Sequence, residues 1–511
     1  MLNIINTTYY KFIATALFCA LPSYLLASEA PAVQLPSSAQ GWSELARKDV
    51  AAAYQITAEN HPGMVDPNNP DFPKQLLQAK NHALALVSQV TNAYGYEAVI
   101  DRFSASLRDG HAGAYATLPD VIPPIRRWPG FNAVWRGDAL WVYHSEETGI
   151  QAGMQLVSCD GKSIKSLMQD RVFAFAGQPD QPGHWWSYGG RLMLDDGNPF
   201  NPPLKQCQLL AADGNTVTRP LHWRNRPAEA MQYVDAAYNC DQLPIGLSWP
   251  QQQIAWIAMP TFDPEPQDVT LYETLFSTLK QQQATLLQAK AIVLDLRHNQ
   301  GGSSYWSTQI AAELWGQAQV QARGQALFSQ TEVWWFASPG NTAHVKSLYD
   351  VLQTQGQTSM LPWIQAVGQG MQKALETKQH FYVEKSDTQT QAQPAIPKDP
   401  PALKAPVYVI VPGQCASACL DALDVFRLFD NTILVGAPSS SDSIYMDIRT
   451  QQLPSGLGQL IIPNKFYVNR PRGHGQYYSP ALTHNQLDWS TQALLDKVLA
   501  DLKKRTAQIN L

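Results

Sequence analysis

Residues 291–302 read Ala-Ile-Val-Leu-Asp-Leu-Arg-His-Asn-Gln-Gly-Gly. The run Ala291–Leu296 lacks the alternation of a half-exposed strand, so it predicts one buried on both faces, as in a parallel sheet covered by helices. It enters a Gly301-Gly302 turn, and helical spacing follows over Trp306–Leu314. The same order recurs downstream. Val407–Val411 predicts an apolar strand, Pro412 to Cys415 a tight turn, Ala416–Leu428 a helix and Ile433–Val435 another strand. Upstream, Ile254–Ala258 predicts a strand and Val269–Leu287 a helix. Repeated strand, turn and helix imply a multi-domain α/β protein whose C-terminal domain, residues 236–511, has a largely parallel sheet. Between about 317 and 405 the pattern lapses into a Gln/Thr-rich stretch ending in Pro394, Pro397, Pro400 and Pro401. An insertion with a stiff linker is expected there.

Ahead of this domain, residues 38–125 read as a helical cap. Trp42, Leu45, Val50, Ala53, Tyr54 and Ile56 recur at helical spacing, and runs over 72–93 and 96–107 repeat the pattern. The third run ends in Arg108-Asp109-Gly110-His111, with the glycine marking the exit. From Phe131 the period changes to two, and residues 126–235 predict a β module with an Asp160-Gly161 hairpin turn. Gly149 to Ile164 resembles the PDZ-type signature, a module that takes an extended peptide as an added strand.

Composition bounds the rest. Of 511 residues, 45% are hydrophobic and 15% charged, which excludes a disordered chain. The net charge of −5 gives no electrostatic ground for nucleic acid as a partner. Lys11 precedes the apolar run Phe12–Ala20, and Pro22 interrupts it well short of about 30 Å of hydrocarbon. Residues 1–30 therefore predict a signal peptide cleaved near Ala27 or Ala30, and a periplasmic or secreted protein. No later stretch approaches a membrane-spanning length, so no membrane contact is expected after cleavage. Cys159, Cys207, Cys240, Cys415 and Cys419 then remain, an odd number: one or two disulfides and at least one thiol. Neither their spacing nor any His-x3-His or His-Glu-x-x-His run suits zinc, and no metal or organic cofactor is expected.

Two turns carry the chemistry. Paired glycines let backbone N–H groups face a cleft with no Cβ in the way, and a helix N-terminus favours negative charge. Gly301 and Gly302 thus suit an oxyanion, while the Lys-Ser/Thr of a phosphate loop is missing. Ser417 stands between a buried strand and a helix, with the Ala418 N–H beside it, the logic of a nucleophile elbow without its G-x-S-x-G spelling. Taken alone, such a serine is a helix cap. Cys415 and Cys419 flank it and could bridge locally, pair elsewhere or fill a small space.

Together with Asp295-Leu-Arg297-x-Asn299-x-Gly301-Gly302, the serine turn resembles the C-terminal processing (tail-specific) serine peptidases, including their tricorn-like branch. His61-Pro-Gly, Asp109-Gly110-His111, Leu453-Pro-Ser-Gly456 and Asn469-Arg-Pro-Arg-Gly473 extend the likeness over roughly 40–490. The resemblance implies a crotonase-like (ClpP-like) catalytic domain acting on peptide or protein substrates, with Ser417 as nucleophile. It also implies an oxyanion hole from Gly301 or Gly302 and Ala418. Serine–lysine members place a lysine where Asp442 stands here; tricorn-like members use a histidine where His111 stands. Imidazole, with an ordinary pKa of about 6.5, is a competent base for a serine hydroxyl. The branch's acid has no counterpart in Phe466–Gly475, which offers Asn469 and no Asp or Glu, so Asp442 is the expected substitute. His298 is the rival base, and Asp295 with Arg297 reads as an ion pair holding the turn. The competing readings are a peptide-binding protein that keeps the scaffold without catalysis, and an esterase using the same serine.

Overall fold

The computed structural model describes residues 35–384 and 396–509. The expected signal peptide and Pro394 of the expected linker lie outside the described residues.

Helices α1 (Ala39–Asn60), α2 (Phe72–Val87) and α3 (Ala93–Leu107) form the N-terminal unit. Ser38 Oγ accepts from the Gly41 N–H at 3.1 Å and Asn92 Oδ1 from the Gly95 N–H at 3.0 Å, satisfying donors that a helix start leaves orphaned. Trp42, Ala46, Val50 and Ala53 make the buried stripe of α1. Helix α3 ends at Arg108 in the left-handed region (φ 55°), two residues before the expected glycine. The chain then turns through His111 into β1 (Gly113–Ala116).

Next come β2 (Phe131–Arg136), β3 (Ala139–Ser145), β4 (Gln155–Cys159), β5 (Gln206–Leu210) and β6 (Thr216–Pro220), an antiparallel sheet in that order. Cys159 and Cys207 face each other on β4 and β5 and are disulfide-bonded.

The last region holds β7 (Gly246–Gln251), β8 (Ile254–Ala258), α4 (Val269–Gln281), β9 (Ala291–Asp295) and α5 (Ser304–Trp315). After them come α6 (Gln317–Leu327), β10 (Glu332–Phe336), α7 (Pro339–Thr354), α8 (Leu361–Glu376) and β11 (Phe381–Val383). The chain continues with β12 (Val407–Val411), α9 (Ala418–Phe426), β13 (Thr432–Gly436), β14 (Tyr445–Gln452), β15 (Gly458–Val468), β16 (Leu482–Thr483) and α10 (Thr491–Ile509). The central sheet runs β7-β8-β9-β12-β13-β16, parallel except for its first pair. Alternation sends Ile292, Leu294, Val407 and Val409 into one core with α4, α5 and α9. Val293, Tyr408, Ile410 and Val435 enter a second core with α10 and the antiparallel sheet. Both faces are dry, which is why these strands read as unbroken apolar runs.

The stretch expected to be an unpatterned insertion is instead folded. Trp335, Val345, Leu352, Ile364, Val367 and Met371 form a core of their own, and β10 pairs with β15. Its helices were hidden because their apolar positions are diluted among glutamines and polar residues. Strand β15 is long enough to take β1 and β10 in tandem along one edge and β14 along the other. Among the described residues, no helix is long and apolar enough to cross a membrane.

Candidate active site

Strand β12 delivers Ser417 at the mouth of the central sheet. Its backbone is at φ 54°, ψ −127°, a region costing a non-glycine residue about 1–3 kcal/mol, and its side chain makes no capping bond to α9. The helix-cap reading therefore fails. A disulfide joins Cys415 to Cys419 across the turn, and Cys240 is unbridged.

Asp442 holds the same residue from outside. Both its carboxylate oxygens accept from the Ser417 N–H, at 2.9 and 2.8 Å. Arg472 Nη1 lies 3.3 Å from Asp442, while its Nε donates to Asp424 at 3.0 Å and its Nη2 to Asp421, both on α9. Burial would lower the Arg472 pKa, but the three carboxylates raise it above the ordinary arginine value. The closing Arg-Pro-Arg motif thus locks α9, with Arg470 also paired to Asp421.

The glycine turn abuts this elbow. Gly301 and Gly302 sit at φ 118° and 125°. A Cβ on Gly301 would lie 2.9 Å from Ser417 Cβ and 3.2 Å from the Ala418 nitrogen; one on Gly302 would lie 2.1 Å from the Phe262 oxygen. The Gly301 N–H is already committed to Asn299 Oδ1 at 2.9 Å. Phe262 brackets Gly302, donating to the Gly301 oxygen at 3.1 Å and accepting from the Ser303 N–H at 2.7 Å. In such a parallel bridge the Gly302 N–H points away from Phe262. Among the described residues, neither the Gly302 nor the Ala418 N–H has a hydrogen-bond acceptor. Arg297 pairs with Asp295 at 2.6 Å and donates to the Trp489 carbonyl at 2.7 Å, tying the turn to the start of α10.

His111 arrives from the N-terminal unit. Asp109 Oδ1 accepts from the His111 N–H at 2.8 Å and from Ser443 Oγ at 2.7 Å, and His61 Nε2 lies 3.2 Å from Oδ2. His61 Nδ1 accepts from the Gly63 N–H at 2.9 Å, so its proton is on Nε2, and burial lowers its pKa. Burial alone would raise the Asp109 pKa, but bonds from His61, Ser443 and His111 bring it below the ordinary carboxylate value. Ser443 is the neighbour of Asp442, so one loop contacts both the histidine turn and the serine turn.

Ser417, His111, Gly301, Gly302, Asp442 and His298 line one cleft of about 860 Å³. Asp442 does not orient the imidazole as expected. Its oxygens are spent on the Ser417 N–H and Arg472, and the buried His111 Nδ1 has no partner among the described residues. His298 Nε2 lies 3.3 Å from the Asp241 carbonyl, so its proton is held away from the serine turn. His184, unnoticed in the sequence, also lines the cleft; its Nδ1 accepts from the Gln178 N–H at 2.9 Å and its Nε2 meets Ser440 Oγ at 2.8 Å. Burial lowers its pKa to about 4. No motif surrounds it, so nothing in the sequence pointed there. Asn299 lay within the quoted motif, but its role needed the Gly301 N–H in view. Among the described residues, no group of three or more His, Cys, Asp or Glu side chains could hold a metal ion.

Residues 253–459 match the model of peptidase family S41. The S41 region contains both glycines and Ser417, and leaves His111 outside. No curated protein matches the chain. Among solved structures, mature CPAF aligns with a TM-score of 0.60 at 12% identity, over 91% of this chain and 98% of that one. Mature CPAF complexed with lactacystin gives 0.59 at 13%, over 91% and 99%. The likeness of fold thus extends well beyond the S41 region.

Proposed function

We propose that this chain is a serine peptidase in which His111 Nε2 takes the proton of Ser417 Oγ as that oxygen attacks a peptide carbonyl. The Gly302 and Ala418 N–H groups accept the oxyanion, His111 returns the proton to the leaving amine, and water hydrolyses the acyl-enzyme. One observation carries this reading: Ser417 sits in a strained, uncapped elbow within contact distance of a glycine turn whose amide is unclaimed. The S41 match supports peptide or protein as substrate. Two disulfides support an oxidising compartment, periplasmic or extracellular. The antiparallel sheet is the PDZ-like element that would present the substrate chain. A fluorophosphonate probe should label the wild type at Ser417 and leave Ser417→Ala unlabelled; equal labelling of both overturns the assignment.

The partnerless His111 Nδ1 favours one other reading, a scaffold that binds peptides without cleaving them. It predicts peptide binding with no hydrolysis of casein, unchanged by His111→Ala.

A further inference from the structure

A serine nucleophile needs no disulfide, yet one closes around this one. The Cys415–Cys419 bond forms a ring that contains Ala416, Ser417 and Ala418. That ring holds both the residue at positive φ and the amide proposed to receive the oxyanion. Cys415 lies in the turn after β12 and Cys419 in the first turn of α9; both are fully buried, in the core shared by the central sheet and α9. The Cys415 N–H donates to the Pro412 carbonyl at 3.2 Å and the Cys419 N–H to the Ala416 carbonyl at 3.0 Å, so each end of the ring is also fixed by the backbone.

The span of the bond argues about its purpose. Cys159–Cys207 closes 48 residues of chain and so restricts the unfolded state considerably; Cys415–Cys419 closes only 4 and restricts it far less. What a short bridge does control is the turn itself. A non-glycine residue at φ 54° relaxes most easily by rotating the peptide plane between it and its neighbour, and that plane carries the Ala418 N–H. Asp442 fixes the Ser417 N–H on the near side of the strained residue. On the far side the Ser417 carbonyl accepts from the Leu420 N–H at 2.9 Å and the Asp421 N–H at 3.2 Å within α9, and the disulfide spans the same peptide plane.

We infer that the Cys415–Cys419 bridge is a positioning crosslink for catalysis. It keeps Ser417 in its strained conformation and the Ala418 N–H aimed at the substrate oxygen. This rests on Ser417 being the nucleophile. Opening the bridge with dithiothreitol breaks one S–S bond and makes two protein thiols, while the reductant loses two electrons and two protons and closes to its cyclic disulfide. Activity then depends on a thiol–disulfide state at the nucleophile itself.

Three proteins test it: the wild type, Cys415→Ala/Cys419→Ala and Cys159→Ala/Cys207→Ala, each checked for folding by circular dichroism. Fluorophosphonate labelling at Ser417 is timed by peptide mapping, and kcat and KM are measured on fluorogenic casein. The first double variant should label at least tenfold more slowly, with kcat falling in parallel and KM within twofold of wild type. The second should label at the wild-type rate. In a second arm, folded wild type is treated with dithiothreitol and the bridges are mapped by alkylation. Labelling should fall with the fraction of Cys415–Cys419 opened and return after reoxidation with glutathione disulfide, a readout independent of whether the variant folds. Wild-type labelling with that bridge absent or open overturns the proposal alone. A wild type that is never labelled at Ser417 overturns the nucleophile assignment beneath it.

Discussion

At the scale of single residues, the centre is built from backbone conformations that most side chains avoid. Gly301→Ala would put a methyl group 2.9 Å from Ser417 Cβ at φ 118°, so a carbon must move or the serine must. Loss of one oxyanion donor typically costs about 10²–10³ in kcat. Fluorophosphonate labelling of Gly301→Ala is expected to fall by at least that much, even though its own N–H is not the donor. His111→Ala should lower kcat on casein by about 10²–10⁴, the usual worth of a general base, whereas His298→Ala should stay within threefold of wild type. The reverse ranking would make His298 the base. These residues were legible because their types are forced by their backbone tasks: glycine at positive φ, serine at an elbow, histidine at a turn. Asp442 was legible only as a position. Its partner is a main-chain N–H 25 residues away, which no side-chain pattern announces.

At the scale of elements, the grip on α9 is electrostatic. Arg472 bridges Asp421, Asp424 and Asp442, all linked to the helix that starts beside Ser417. Arg472→Met leaves these carboxylates without that partner, and breaking such a buried pair costs about 3–5 kcal/mol. Urea denaturation should show a loss of that size; a change below 1 kcal/mol would mean that Arg470 alone suffices. The parallel strands were readable because burial on both faces leaves no polar residue to interrupt the run. The helices of residues 317–376 were not. Ser338 caps α7 with its Oγ accepting from the Asn341 N–H at 3.1 Å, and Pro339 opens it, yet glutamine and threonine between the apolar positions blurred the period. The long helix expected over 269–287 breaks at Gln282, where φ −95° and ψ 13° leave the helical region.

At the scale of the whole molecule, acid should loosen the fold. Burial lowers the pKa of His184 and of His344 to about 4, against about 6.5 in an unfolded chain. The folded state then binds fewer protons than the unfolded one between those values, so stability is complete above pH 6.5 and declines as pH falls towards 4. The loss is up to about 3 kcal/mol per histidine. A His184→Gln/His344→Gln protein should show a flatter decline of its thermal midpoint between pH 6.5 and 4; an unchanged slope refutes the account. Removing Cys159–Cys207 should cost about 4 kcal/mol through the unfolded chain while leaving Ser417 labelling intact.

The grips on the two turns come from the far end of the polypeptide: Arg472 holds the serine side, and the Trp489 carbonyl and Thr491 hydroxyl hold Arg297 on the glycine side. During synthesis the ribosome therefore releases His111 first, Ser417 later, and the fasteners for both turns after them. A copy whose translation stops short of Arg472 lacks the fasteners of both turns, so the proposed peptidase activity can arise only once those residues are made.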